Sequence, residues 1–95
     1  IRSARLSRIR GVYRRISFFV SESEPVPEGW RLGGEVGLRP IDVGDVFTFV
    51  HHTDTGTDEP VSLRVLELAE PEIRVAGEGG NLIRPGDILA AEITD

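Results

Sequence analysis

His51 and His52 stand side by side, with Asp54, Asp58 and Glu59 close behind them. Imidazole nitrogens and carboxylate oxygens are the ligands that zinc takes. Adjacent residues on a strand, however, point to opposite faces, so the two rings do not converge on one ion. No second histidine group completes a set, and a solvated hairpin loop without metal is the expectation. Three carboxylate pairs, Glu22/Glu24, Asp58/Glu59 and Glu70/Glu72, carry the residue type used in acid–base catalysis. That work needs one partner buried with a raised pKa, and all three pairs sit in turn-like, polar sequence. Gly77-Glu78-Gly79-Gly80-Asn81 has the glycine content of a phosphate cradle but lacks the lysine and the Ser/Thr of a P-loop, and no helical pattern follows. Neither a serine–histidine–acid order nor a nucleophile elbow is present. No enzyme, cofactor or metal is expected from these residues.

Arginine is the other chemistry on offer. Residues 1 to 15 hold six arginines and no acid, whereas residues 16 to 95 hold five arginines against sixteen acids, a balance of −11. Lysine is missing altogether. Guanidinium forks match phosphate oxygens, so Arg8, Arg10, Arg14 and Arg15 are the candidate RNA or anion contacts. The competing reading is that the arm neutralises its own acidic domain or follows genomic base composition. An acidic domain also opposes the long-range approach of nucleic acid.

The elements that must position these residues read as strands. The 95-residue chain fits one domain, divided here into a basic N-terminal arm, 1–10, and a single β-barrel domain, 11–95. Cysteine is absent, so no disulfide framework exists and a reducing cytoplasm is the expected setting. The longest apolar run, from Ile16 to Val20, is too short to span a bilayer. The chain begins at Ile1, which is read as a trimmed or excised start.

The first strand runs from Val12 to Val20, alternating except at Phe19. Ser21 to Gly29, with two prolines, reads as a loop. Trp30, Leu32, Val36 and Leu38 alternate with Arg31, Glu35 and Arg39, the period of a half-buried strand. Gly33-Gly34 marks a bulge or bend in it. Trp30 begins the apolar side and is expected to pack in the core or the barrel mouth. The third strand, Val46 to His51, puts Phe47 and Phe49 on one face. Thr53 to Pro60 reads as a loop, Val61 to Leu68 as a strand bulged near Val65-Leu66, Glu72 to Ala76 as a short strand and Ile88 to Ile93 as the last. Two turns share Gly-Asp, in Ile41-Asp42-Val43-Gly44-Asp45 and Ile83-Arg84-Pro85-Gly86-Asp87. Their flanks do not align, so they are read as shared turn chemistry: glycine supplies positive φ and aspartate binds nearby amides. The expected fold is all-β, a small antiparallel β-barrel of about six strands.

From Phe18-Phe19-Val20, through Gly29 to Val36 and Ile41 to Val46, to Val65-Leu66-Glu67-Leu68 and the closing Gly79 to Ala90, this order resembles the second domain of elongation factor Tu and its relatives, the translation-protein β-barrel. The likeness covers about residues 16 to 95 and rests mostly on turn and core residues. It implies a closed barrel and a non-catalytic binding module for RNA or a ribonucleoprotein. The closing loop is shorter than the family's, these 95 residues supply none of the P-loop domain that the full factors carry ahead of the barrel, so GTP hydrolysis is not assigned, and no tRNA-contacting residue is carried over. The alternatives are an oligonucleotide-binding barrel of another topology or another small β-barrel with a Gly-Asp turn and, in function, a protein-interaction or accessory domain that uses its acidic face.

Overall fold

The computed structural model describes residues 15–92. Within them, six strands close into an all-antiparallel barrel: β1 (Arg15–Val26), β2 (Gly29–Val36), β3 (Val46–His52), β4 (Thr57–Ala69), β5 (Glu72–Glu78) and β6 (Ile88–Glu92), in the spatial order β1-β2-β5-β4-β3-β6. A 3-10 turn, Gly80–Leu82, precedes the final connection. Alternation along the strands turns Phe18, Leu32, Phe47, Leu63, Val75 and Leu89 inward, where they are almost wholly buried. Each such side chain contributes roughly 1.5–3 kcal/mol by leaving water. Trp30 packs against this core, and a Cβ on Gly80 would lie 1.9 Å from its indole nitrogen. The glycine therefore makes room for the ring.

The connectivity repeats. Exchanging β1 with β4, β2 with β5 and β3 with β6 leaves every strand's neighbours unchanged. Each half starts with a hairpin whose loop is two residues, Pro27-Glu28 or Glu70-Pro71. Each then reaches its third strand through a Gly-Asp turn. In both turns the aspartate carboxylate accepts the amide of the residue three positions earlier, Asp42 to Asp45 at 2.8 Å and Arg84 to Asp87 at 2.9 Å. Gly44 and Gly86 sit at φ 97° and 95°, the position where a type II turn needs glycine. The Gly44 amide donates to the Val65 carbonyl and the Gly86 amide to the Val20 carbonyl. Register slips right after both acceptors, between Val20 and Glu22 and between Val65 and Glu67. The two turns thus occupy equivalent places, each locked to the residue before a β-bulge, which is more than a shared local chemistry.

Ser21 to Val26 is strand, not the expected loop: it pairs with β2 up to Val26↔Gly29. Because β6 leaves β1 at Phe19, this stretch has a partner on one side only. A proline can sit there without breaking the ladder on both sides. The loop after β3 is also shorter than expected, since β4 begins at Thr57 opposite His52. The bulge expected at Gly33-Gly34 lies across from it, on β1 at Ser21. The Val65-Leu66 bulge is where the face switch put it. A further register irregularity at Thr48 carries Phe47 and Val50 to the core and turns Phe49 outward. Leu38 lies beyond β2 and is exposed rather than in the core.

Candidate nucleic-acid interface

The outward faces of β1, β6 and β3 form one surface. Ser17 pairs with Ala90 and Ala90 with Phe49, so small side chains lie along the middle of this row. One step along, Phe19 pairs with Ile88, and Ile88 with His51. Phe19 points outward because Phe18 points in, and it is 45% exposed. The Gly37 amide donates to the Ser17 carbonyl, which brings Leu38 alongside β1. The result is two adjoining clefts of about 450 and 440 Å³ that share Arg15, Ser17 and Phe19. One continues past Phe49 to His51 and the other past Gly37 to Leu38.

Arg15 caps the end of this surface. Its guanidinium carbon lies 5.7 Å from the centre of the Phe49 ring, within cation–π range. It also meets Glu92 at 3.4 Å, and both side chains are more than half exposed. Exposed pairs of this kind are worth about 0–1 kcal/mol, so another anion can compete for Arg15. His51 is held by Asp58, 2.5 Å from its Nδ1.

The acids gather elsewhere. Glu22, Glu24 and Glu72 converge on Arg31, whose Nε donates to Glu24 at 3.1 Å and whose Nη1 donates to Glu72. The Glu24 hydrogen bond comes first among the causes that push the Arg31 pKa up. Arg74 donates to Glu28 at 2.6 Å and lies near Glu67. The carboxylate pairs noted in the sequence therefore serve, in part, as ion-pair partners across β1, β2 and β5.

The histidine cluster divides as the strand period requires, His51 outward and His52 inward, but it is not a solvated loop. His52 and Asp87 are each 2% exposed. The His52 Nδ1–H donates to Asp87 Oδ2 at 2.7 Å, and its Nε2 lies 3.2 Å from Glu59. Thr53 donates to the Gly86 carbonyl at 2.8 Å, and Arg84 reaches Asp54 at 3.4 Å. These contacts fasten the β3–β4 hairpin to the second Gly-Asp turn. Among the described residues, no group of three or more such side chains is placed to hold a metal ion.

Of the expected anion contacts, Arg15 alone falls in the described part, on the cleft wall. Arg8, Arg10 and Arg14 lie outside the described residues. Phe19 is visible in the sequence as the one break in the β1 alternation, a signal that points to a surface ring only once its neighbour Phe18 is known to be buried. Phe49 carries no such signal, because the irregular pairing at Thr48 is what turns it out. Among the described residues no helix is long and apolar enough to cross a membrane. No family model, curated protein or solved structure matches the chain.

Proposed function

We propose that this protein is a non-catalytic module that binds RNA or a ribonucleoprotein, with its arginines on phosphate. The observation that carries the reading is the placement of Arg15. It stands exposed at the wall of an apolar cleft, over Phe49, directly after a stretch rich in arginine and free of acid. The resemblance to the second domain of elongation factors supports the same reading, and the closed six-stranded antiparallel barrel agrees with it at the level of fold. The Arg15 side holds two carboxylates, Glu92 paired with Arg15 and Asp58 on the cleft lining, against the five glutamates around Arg31 and Arg74, so it is the less acidic side.

A specific observation favours a second reading. Glu22, Glu24, Glu28, Glu67 and Glu72, on β1, the first hairpin loop, β4 and β5, gather around Arg31 and Arg74, so carboxylates outnumber guanidiniums on that surface. Such a surface suits a basic protein partner.

The deciding measurement is fluorescence anisotropy of bulk tRNA titrated with the full chain at low and near-physiological salt. A variant with Arg8, Arg10, Arg14 and Arg15 changed to alanine runs beside it. Saturable binding is expected, with log affinity falling linearly in log salt. The slope should be shallower in the variant by up to about 4, roughly one for each guanidinium taken off a phosphate. No binding at low salt would overturn the RNA reading and leave the acidic face as the working surface.

A further inference from the structure

We infer that the cleft beside Pro71 is a docking slot for an arginine side chain of a basic partner protein. This rests on the second reading above and adds where such a partner is held and by which side chain. The repeat in the barrel accounts for the cleft. Val20↔Gly34 and Val65↔Val75 are each the last pair before a bulge, so Gly34 matches Val75. Four positions earlier on each strand, Trp30 matches Pro71. The cross-strand contacts agree, since Trp30 pairs with Val75 and the Gly34 amide donates to the Pro71 carbonyl at 3.2 Å. Trp30 fills its place, packed on the core and against Gly80. Pro71 has no such ring and is exposed. β2 leaves β5 at Gly33. Beyond that point Glu35, Val36, Glu70 and Pro71 surround a cleft of about 480 Å³ that reaches down to Phe18 and Ile73. One half of the barrel fills with its own indole a place that the other half leaves open.

Charge and shape fix the occupant. The floor and the Val36 and Pro71 walls are apolar, while Glu35 and Glu70 are exposed at the rim. Among the described residues neither carboxylate has an ion-pair or hydrogen-bond partner. A second cleft of about 450 Å³ shares Glu35 and Pro71 and adds Glu22 and Glu72. Those two acids are shared with Arg31, which also takes Glu24, so three carboxylates meet one guanidinium there. No arginine, lysine or histidine lines either cleft. A pocket with apolar walls and a few charged groups takes a ligand of the matching pattern. Arginine has it: an apolar stem for the floor and a flat, cationic head for the two free carboxylates. The same lining repels phosphate, so this is a protein site, separate from the Arg15 surface.

The test titrates a labelled peptide of alternating arginine and serine with the full chain, by anisotropy at one low salt concentration. A lysine–serine peptide of the same length runs beside it. The proteins are the wild type, Glu35→Gln/Glu70→Gln and Glu28→Gln/Glu67→Gln. The second pair removes the same two charges from around Arg74, outside both clefts. All four glutamates are exposed, and thermal melts check that each variant is folded. The arginine peptide should bind, several-fold more tightly than the lysine peptide, whose ammonium has no flat face. Its affinity should fall about ten-fold in Glu35→Gln/Glu70→Gln and less than two-fold in Glu28→Gln/Glu67→Gln. An equal loss in the two variants, or equal binding of the two peptides, would overturn the slot and leave the acidic face as a diffuse surface for a basic partner. Absence of binding by either peptide would overturn the slot and the second reading together.

Discussion

Asp45 and Asp87 each accept the amide of the residue three positions earlier, yet Asp87 is 2% exposed while Asp45 is only partly covered. Asp87 also takes the Nδ1–H of buried His52. Asp45→Ala should cost about 1 kcal/mol, the net worth of one hydrogen bond. Asp87→Ala leaves a buried imidazole donor without its partner and should cost about 3 kcal/mol. Urea unfolding of the two variants checks this, and equal destabilisation would contradict the role given to His52. Glu28 supplies a pH signature on the opposite surface. The Arg74 hydrogen bond, helped by Glu28's own backbone, holds its carboxyl below the ordinary value of 4.5. A depressed carboxyl contributes stability that is present above the unfolded-state value and is lost as pH falls through the lower folded-state value. The stability gap between wild type and Glu28→Gln, measured from near neutrality down to about pH 3, should therefore shrink toward the acid end. A gap that widens would reverse the assignment.

At the scale of elements, glycine separates turns that need only a backbone conformation from strands that need space. Gly44 has φ 97° and nothing within 4 Å of a would-be Cβ. Gly44→Ala should cost the left-handed penalty alone, about 1–2 kcal/mol. Gly77 on β5 combines φ 140° with the Ser62 carbonyl oxygen 1.8 Å from where a Cβ would go. That oxygen belongs to a paired strand and cannot move aside, so Gly77→Ala should lower the melting temperature clearly more than Gly44→Ala. A comparable drop in both would show that β4 and β5 give way at this point. The same elements show what a sequence can carry. Period-two alternation places the strands because burying one face dictates it. The hairpin ends read as loops because Pro25 and Pro60 suggest interruption. Pro25 lies in a stretch paired on one side only, and Pro60 faces Phe49 beside the irregular pairing at Thr48. Where a register slips depends on the partner strand, a non-local matter, so the irregularity at Thr48 and the outward turn of Phe49 are not legible locally. Arg15 and Phe19 need only their own strand's alternation.

At the scale of the molecule, charge and connectivity are arranged by the same closed sheet. Glutamates of β1, the first hairpin loop, β4 and β5 collect around Arg31 and Arg74, while Arg15 lies where β1 meets β6, next in sequence to the chain's arginine-rich stretch. Closure itself has a consequence in time. β6 pairs with β1 on one side and β3 on the other, and Arg15 and Glu92 are 77 positions apart. As the polypeptide is synthesised, β1 and β3 must wait with unpaired edges until the residues of β6 emerge. Contacts so distant in sequence form slowly, and open edges invite pairing with other chains. For a nascent barrel of this connectivity, the hazardous interval ends when its sixth strand arrives.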